Sequence, residues 1–206
     1  MHDDHTAISR RHLLAGAAGV AAAAWLPAFR VEEEAFGAAP KPKGFPAGIP
    51  LYRQAFQNWS TAVSVDAVWT CAPRDADEVL AVVNWAHRHN YRVRPRGHMH
   101  NWSPLTLPQG ADPARRIVLL DTTAHLTGMR MTATAPAAVR VQAGASMQSL
   151  LEFLGARGLG LTATPAPGDI TVGGALAIDG HGTAVPAAGE RRAPGHTFGS
   201  LSNLIV

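Results

Sequence analysis

The chain has 206 residues, 47% of them hydrophobic, and a formal net charge of +3, so it can bury the core of one domain and is not disordered by composition. Its arginines are dispersed without interleaved aromatic side chains, which argues against a nucleic-acid partner. Its single cysteine excludes an intrachain disulfide. Both lysines, Lys41 and Lys43, lie near the start, which excludes a Walker A nucleotide site because its lysine follows the glycines.

Residues 1–39 are predicted to be a twin-arginine export signal. Arg10 and Arg11 precede an alanine-rich apolar run over residues 15–29, which is too short and too small-sided for a stable transmembrane anchor. The alternative is a short buried helix. Cleavage is expected between Ala35 and Ala39, so the mature protein is expected in the periplasm or outside the cell.

Residues 40–62 are predicted to be a linker and an N-terminal segment outside the domain. Pro40, Pro42 and Pro46 are closely spaced, and proline disfavours both helices and paired strands. Regular order is therefore expected only after Pro50.

Residues 63–206 are predicted to form an α+β domain. Asp75 can cap a helix whose third position is Glu78, as in a capping box, and Asn90 can end it in a left-handed conformation. The apolar face of this helix is predicted to contain Val79, Val82, Val83 and Ala86. Strands are predicted over residues 63–69, 91–94 and 117–120, a hairpin over residues 129–134 and 139–143, and a second helix after Ser146.

A loop with the sequence PRGHMHNWSPLT, residues 95–106, follows the strand predicted at residues 91–94. Gly97 lets the main chain approach an anion closely, and Arg96 adds positive charge. Imidazole is a competent nucleophile near neutral pH, so His98 and His100 are candidate reactive groups. The alternatives are solvated histidines or a metal pair, although no glutamate follows before Glu152.

A second loop spans residues 165–183 and is rich in glycine. Glycine allows tight turns and bulges, so one interpretation is that these glycines serve only the local structure of the segment. The other is a second backbone cradle for the same ligand, with the candidate residues Gly168, Thr171, Gly173, Gly174, Gly180, His181, Gly182 and Thr183.

The two loops, in this order and spacing, resemble those of the vanillyl-alcohol-oxidase superfamily, which has a PCMH-type FAD-binding domain. The resemblance implies two α+β lobes with FAD between them: a small lobe with a mixed sheet over about residues 63–122, and a larger sheet lobe after it. It also implies that the first loop surrounds the FAD diphosphate and the flavin edge, through Arg96, Gly97, His98, Met99, His100, Asn101 and Trp102.

Residues 99–106 of the first loop further resemble the flavin-linked bacterial cholesterol oxidases. By that resemblance His100, four residues after Arg96, is the candidate for a covalent bond to the 8α-methyl group of the flavin. His98 stands where these enzymes commonly have a small residue, so it is a rival attachment site.

The resemblance implies oxidation of a sterol-type alcohol with O2 as the electron acceptor. In the family the general base and the sterol cavity belong to a later domain, which we expect to be absent because residues 204–206 read as the middle of a strand. The FAD-binding domain is thus expected to be C-terminally incomplete and inactive alone. The alternatives are a sugar-alcohol or aldonolactone oxidase of the same superfamily, or a flavin-binding protein without turnover.

Overall fold

Two sheets and three helices make up the part of the protein that the computed structural model describes, residues 40–108, 116–135, 137–161, 164–182 and 188–189. These residues all belong to one compact unit. The strands are β1 (Leu51–Gln57), β2 (Ser64–Cys71), β3 (Arg92–Arg96), β4 (Ile117–Asp121), β5 (Met129–Thr134) and β6 (Ala137–Val141), and the helices are α1 (Ala76–His89), α2 (Met147–Gly155) and α3 (Val172–Ala177). None of these described helices is long and apolar enough to cross a membrane.

The first lobe has a four-stranded mixed sheet in the order β1-β2-β4-β3. The resemblance implied a mixed sheet here, but strand β1 was not predicted. β1 runs antiparallel to β2, whereas β4 runs parallel to both β2 and β3. In the register of β3 and β4, Arg96 lies opposite Asp121. The carboxyl ends of two neighbouring strands therefore bring a cation and an anion together at one edge of the sheet.

Both faces of the first sheet carry hydrophobic core residues. One face packs with α1 through Trp69, Val118 and Leu120, and the other carries Phe56 and Leu119. Because β4 lies in the middle of this sheet, all five of its residues are buried, which explains its continuous apolar sequence.

Helix α1 begins and ends where its sequence predicts. The Asp75 side chain accepts a hydrogen bond from the Glu78 main-chain N–H at 2.9 Å, and Asn90 has φ +56°. The Glu78 carboxylate, however, accepts from the main-chain N–H and the Nε of Arg74, so only half of the capping box forms. The predicted apolar face is also corrected, because Val83 is exposed and Trp85 is buried in its place.

The second lobe consists of the β5–β6 hairpin with α2 and α3. Its hydrophobic core contains Met147, Leu150 and Leu154 of α2 and Val172 and Ala175 of α3. The Ser146 hydroxyl accepts from the Ser149 N–H at the start of α2, which confirms it as a helix cap. Two α+β lobes are thus present, as the resemblance implied. Within the described residues, however, the second sheet has two strands and is the smaller of the two.

The prediction of a linker over residues 40–62 is wrong for the part of the chain that packs against α1 and β2. Ile49 is buried in the first core, the Phe45 ring lies 5.0 Å from that of Trp85, and the indole N–H of Trp85 donates to the Lys43 carbonyl. β1 then pairs along most of β2. Prolines excluded regular structure before residue 50, but they did not prevent apolar side chains from packing.

Candidate functional site

Asp121 anchors the side chain of Arg96 at the carboxyl ends of β4 and β3. Arg96 Nη1 lies 2.6 Å from Asp121 Oδ2, and both side chains are largely buried. The second carboxylate oxygen accepts from the main-chain N–H and the hydroxyl of Thr123, at 2.8 and 2.7 Å. Ion pairs in such surroundings are held rigidly because each oxygen has a defined partner.

Tyr52 of the edge strand β1, which β2 separates from β4, completes this cluster. Its hydroxyl donates to Asp121 Oδ2 at 3.4 Å. Burial, followed by the negative charge of Asp121, raises the pKa of Tyr52 to about 12. The phenol is therefore a neutral hydrogen-bond donor at physiological pH.

The main chain of Arg96 is fixed as firmly as its side chain. Its carbonyl accepts from the N–H and the hydroxyl of Thr122, each at 3.0 Å. Among the residues that the structure describes, Arg96 Nε is buried and has no hydrogen-bond partner. A buried cationic donor without a partner is costly, and an anionic ligand would satisfy it.

Gly97 is one of the points at which the two predicted loops meet. A Cβ atom at this position would lie 2.5 Å from Thr171 Oγ1 and 2.9 Å from its Cγ2. Thr171 is held in turn because its hydroxyl caps α3 by accepting from Gly174 N–H at 3.1 Å. Only glycine at position 97 therefore permits this contact.

Other glycines of the second loop pack the second lobe. The N–H groups of Gly173 and Gly180 donate to the carbonyls of Ala143 and Ala175, and a Cβ atom on Gly182 would lie 2.5 Å from Thr164 O. The Gly168 carbonyl accepts from Gln148 N–H at 2.8 Å. Tight turns thus explain much of this glycine content.

The two histidines of the first loop both contact Asp169 of the second. His98 Nδ1–H donates to the main-chain carbonyl of Asp169, and His100 Nε2 lies 3.7 Å from its carboxylate Oδ1. The His100 ring stacks on Trp59, with centroids 5.1 Å apart and an interplanar angle of 20°. Met99, between the histidines, has φ +60°.

The remaining predicted residues lie at the rim of this arrangement or outside it. Trp102 is 66% exposed. Its ring centroid lies 4.8 Å from that of Trp59. Asn101 donates from its side chain to the Ser103 carbonyl. His181 is exposed, with Nδ1 3.3 Å from the Gly182 carbonyl, and Thr183 lies outside the described residues.

Sequence reasoning missed three residues that shape the site: Tyr52, Asn58 and Asp121. Asp121 carried a usable signal, because it is the first polar residue after a buried strand and so lies at the carboxyl end of the sheet. Asn58 lies in a polar turn, and Tyr52 lies in a strand that was not predicted. No local sequence feature distinguishes either residue from one with a purely structural role.

A comparison with protein families identifies the chain. The model described as "FAD binding domain" matches residues 69–193, which include every residue of both loops. The chain belongs to this FAD-binding family. No curated protein matches the sequence significantly.

Solved structures support the same fold for this FAD-binding domain. The cholesterol oxidase from Brevibacterium sterolicum is 43% identical, with a TM-score of 0.73 over 78% of this chain and 30% of its own. A solvent-stable cholesterol oxidase is 60% identical, with a TM-score of 0.70 over 74% of this chain and 28% of its own. The chain thus spans less than a third of the length of these oxidases.

The described residues fit the cofactor that the family binds. The Arg96 guanidinium presents a buried Nε without a partner among the described residues, directly before a glycine where the backbone is closely approached. The guanidinium is suited to an anionic group such as a diphosphate, whereas the group that approaches Gly97 is the Thr171 side chain. The side chain of His100 retains 20% exposure, so an edge of its imidazole is accessible to a ligand.

Proposed function

We propose that this chain anchors the FAD of an oxidase that acts on a sterol-type alcohol, with O2 as the acceptor. The observation that carries the proposal is that Gly97 and His100 of the first loop meet Thr171 and Asp169 of the second, next to Arg96, which Asp121 holds in place. The similarity to cholesterol oxidases, at 43 and 60% identity, supports the sterol as substrate class for the complete oxidase.

Each residue of the first loop has a distinct role in this proposal. Arg96, oriented by Asp121, offers charge-assisted hydrogen bonds to the diphosphate. Gly97 allows the main chain to approach it. His100, rather than His98, is the proposed covalent ligand, because it stands four residues after Arg96, the spacing found in the flavin-linked oxidases that the loop resembles. When bound, the flavin supplies a two-electron acceptor for the alcohol and passes the electrons to O2.

The proposed covalent bond joins a ring nitrogen of His100 to the 8α carbon of the flavin. The imidazole loses its N–H proton, and the methyl group loses one hydrogen as a proton. The bound flavin would supply the acceptor for the two electrons released, and O2 would take them up in turn to give H2O2. No further reactant is needed.

Covalent attachment tests the proposal. The full chain, prepared without flavin under riboflavin limitation, is incubated with FAD, precipitated in acid and digested. We expect the flavin to remain on a peptide containing His100, to be lost from the His100→Ala variant, and to be retained by the matched control His98→Ala. Flavin that leaves entirely with the supernatant, or that maps to His98, would contradict the assignment.

The second part of the proposal concerns turnover. We expect the flavin-loaded 206-residue chain to give no cholesterol-dependent H2O2, because the two loops offer Asp169 and Asp179, which lie in turns beside glycines, and neither is placed in a dry cavity suited to proton abstraction from an alcohol. A peroxide assay, with a sugar alcohol and an aldonolactone as alternative substrates, checks this. Turnover of any of the three would show that the catalytic groups lie within this chain.

We also propose export by the twin-arginine route, on the sequence of residues 10–29 alone. The double variant Arg10→Lys, Arg11→Lys keeps the charge and removes the guanidinium pair. We expect it to remain in the cytoplasm in cell fractionation. Undiminished export of this variant would exclude the twin-arginine route.

A further inference from the structure

The turn between β1 and β2 is built around one buried amide. Asn58 is only 2% exposed. Its main-chain N–H donates to the Val63 carbonyl at 3.0 Å, and its Oδ1 accepts from the Val63 N–H at 2.9 Å. Thr61, inside the turn, has φ +59°. The turn therefore has a closed conformation that depends on the Asn58 side chain.

The same turn is bonded to the first loop on both sides of His100. The amide Nδ2 of Asn58 donates to the carbonyls of Asn101 and Trp102, at 2.9 and 3.2 Å. The Trp59 N–H donates to the Met99 carbonyl at 2.8 Å. Because the main chain is held immediately before and after it, His100 has little freedom to change its backbone direction.

Trp59 restricts the His100 side chain as well. Its ring covers one face of the imidazole at a centroid distance of 5.1 Å and a nearly parallel angle, while Asp169 lies at the Nε2 edge. Trp59 remains 54% exposed, so burial in the core does not explain its position. Stacking of this kind limits rotation of the imidazole about its Cβ–Cγ bond.

We propose that Asn58 and Trp59 are positioning residues that hold His100 in the orientation needed for flavin attachment. The inference rests on the proposed function, since it concerns the formation of the His100 bond. Misplacement of a reacting group by about 1 Å can slow a reaction by about a hundredfold. The two residues should therefore affect the rate of attachment more strongly than the amount of FAD that the chain binds.

The test is the time course of covalent flavin formation after FAD is added to the full, flavin-free chain. Total bound FAD is measured by gel filtration, and covalent flavin by fluorescence of acid-precipitated protein. We expect Trp59→Ala and Asn58→Ala to slow attachment by at least about tenfold, with bound FAD within about twofold of the unaltered chain. Trp59→Phe should restore most of the rate because it keeps a stacking ring. Leu105→Ala, an exposed apolar change in the same loop, should leave the rate unaltered.

Three outcomes overturn the inference and differ from one another. Attachment by Trp59→Ala and Asn58→Ala at the rate of the unaltered chain shows that His100 needs no support from the turn. A parallel fall in bound FAD and in attachment, without rescue by Trp59→Phe, assigns the turn a structural role only. Absence of covalent flavin in the unaltered chain overturns the proposed function itself, and this inference with it.

Discussion

At the scale of the residue, Asp121 is expected to contribute strongly to the stability of the folded protein. Asp121→Asn keeps the shape of the side chain but leaves the Arg96 charge without its anion in a largely buried place. We expect the free energy of unfolding to fall by about 3 kcal/mol, because breaking one side of a buried ion pair leaves the other charge uncompensated. Urea denaturation of the two proteins measures the difference.

The exposed pair Arg74–Glu78 provides the control for this change. Its side chains are more accessible than those of Arg96 and Asp121, so Arg74→Ala should lower the free energy of unfolding much less than Asp121→Asn does. Equal losses in the two variants would show that the Arg96–Asp121 pair is not energetically distinct from a surface pair.

Gly97→Ala is expected to separate the two loops. The added Cβ would meet Thr171 Oγ1 at 2.5 Å, and the hydroxyl cannot retreat without losing its bond to Gly174 N–H. We expect a loss of about 1–3 kcal/mol in the free energy of unfolding, and weaker FAD binding by fluorescence titration. Gly155→Ala, at the end of α2 where the Cβ has open space, should not be destabilising. Unchanged FAD affinity of Gly97→Ala would contradict the role of this contact.

At the scale of the element, the residue that caps the C-terminus of helix α1 can be tested for its contribution to stability. Asn90 has φ +56°, a conformation that glycine and asparagine adopt with the least strain. Asn90→Ala should lower the free energy of unfolding by about 1 kcal/mol, whereas Asn90→Gly should change it by less than about 0.5 kcal/mol. Asn84→Ala, at an exposed position inside the same helix, should be neutral or slightly stabilising. Thermal unfolding of the three variants would disprove the expectation if Asn90→Ala proved as stable as Asn90→Gly.

The same helix shows which features of the fold can be predicted from sequence. Its start and end depend on Asp75 and Asn90, whose interactions reach only three or four residues along the chain. Strand β1 was missed because its sequence, LYRQAFQ, has weak alternation, and four of its seven residues are only partly buried. Its position is determined by pairing with β2, which no local pattern in the segment indicates.

The candidate site shows the same limit. Motif resemblance selected Gly97 and His100, which the structure places beside the second loop, because the two glycine-bearing loops follow a recognisable order. Asn58 could not be selected in this way, since its partners Asn101 and Trp102 lie more than forty residues away. Its role depends on the fold and not on its sequence neighbours.

At the scale of the whole molecule, stability should fall as the pH rises above 9. Burial raises the pKa of the Cys71 thiol from 9.0 to about 12, and burial with the Asp121 charge raises that of Tyr52 from 10.0 to about 12. In the unfolded chain both groups lose their protons at lower pH, so the folded state binds more protons between pH 9 and 12. The stabilisation is fully present below pH 9 and is lost progressively toward pH 12.

The loss between pH 9 and 11 should amount to about 2 kcal/mol, after allowance for the partial exposure of Tyr52. Urea denaturation at a series of pH values measures it. The double variant Tyr52→Phe, Cys71→Ala should show a shallower decline, whatever its stability at pH 8. An equally steep decline in this variant would assign the alkaline loss to other groups.

The distances along the chain between the partners in the site have a consequence for the order of folding. Arg96 and Asp121 are 25 residues apart, Asn58 and Asn101 are 43 apart, and His98 and Asp169 are 71 apart. Closing such loops costs entropy that local helices and hairpins do not incur, so contacts of this range form late in folding. Helix α1 and the β5–β6 hairpin can form early, whereas His100 meets Trp59 and Asp169 only when both lobes are in place. A flavin bonded to His100 would therefore mark a chain that has completed its folding.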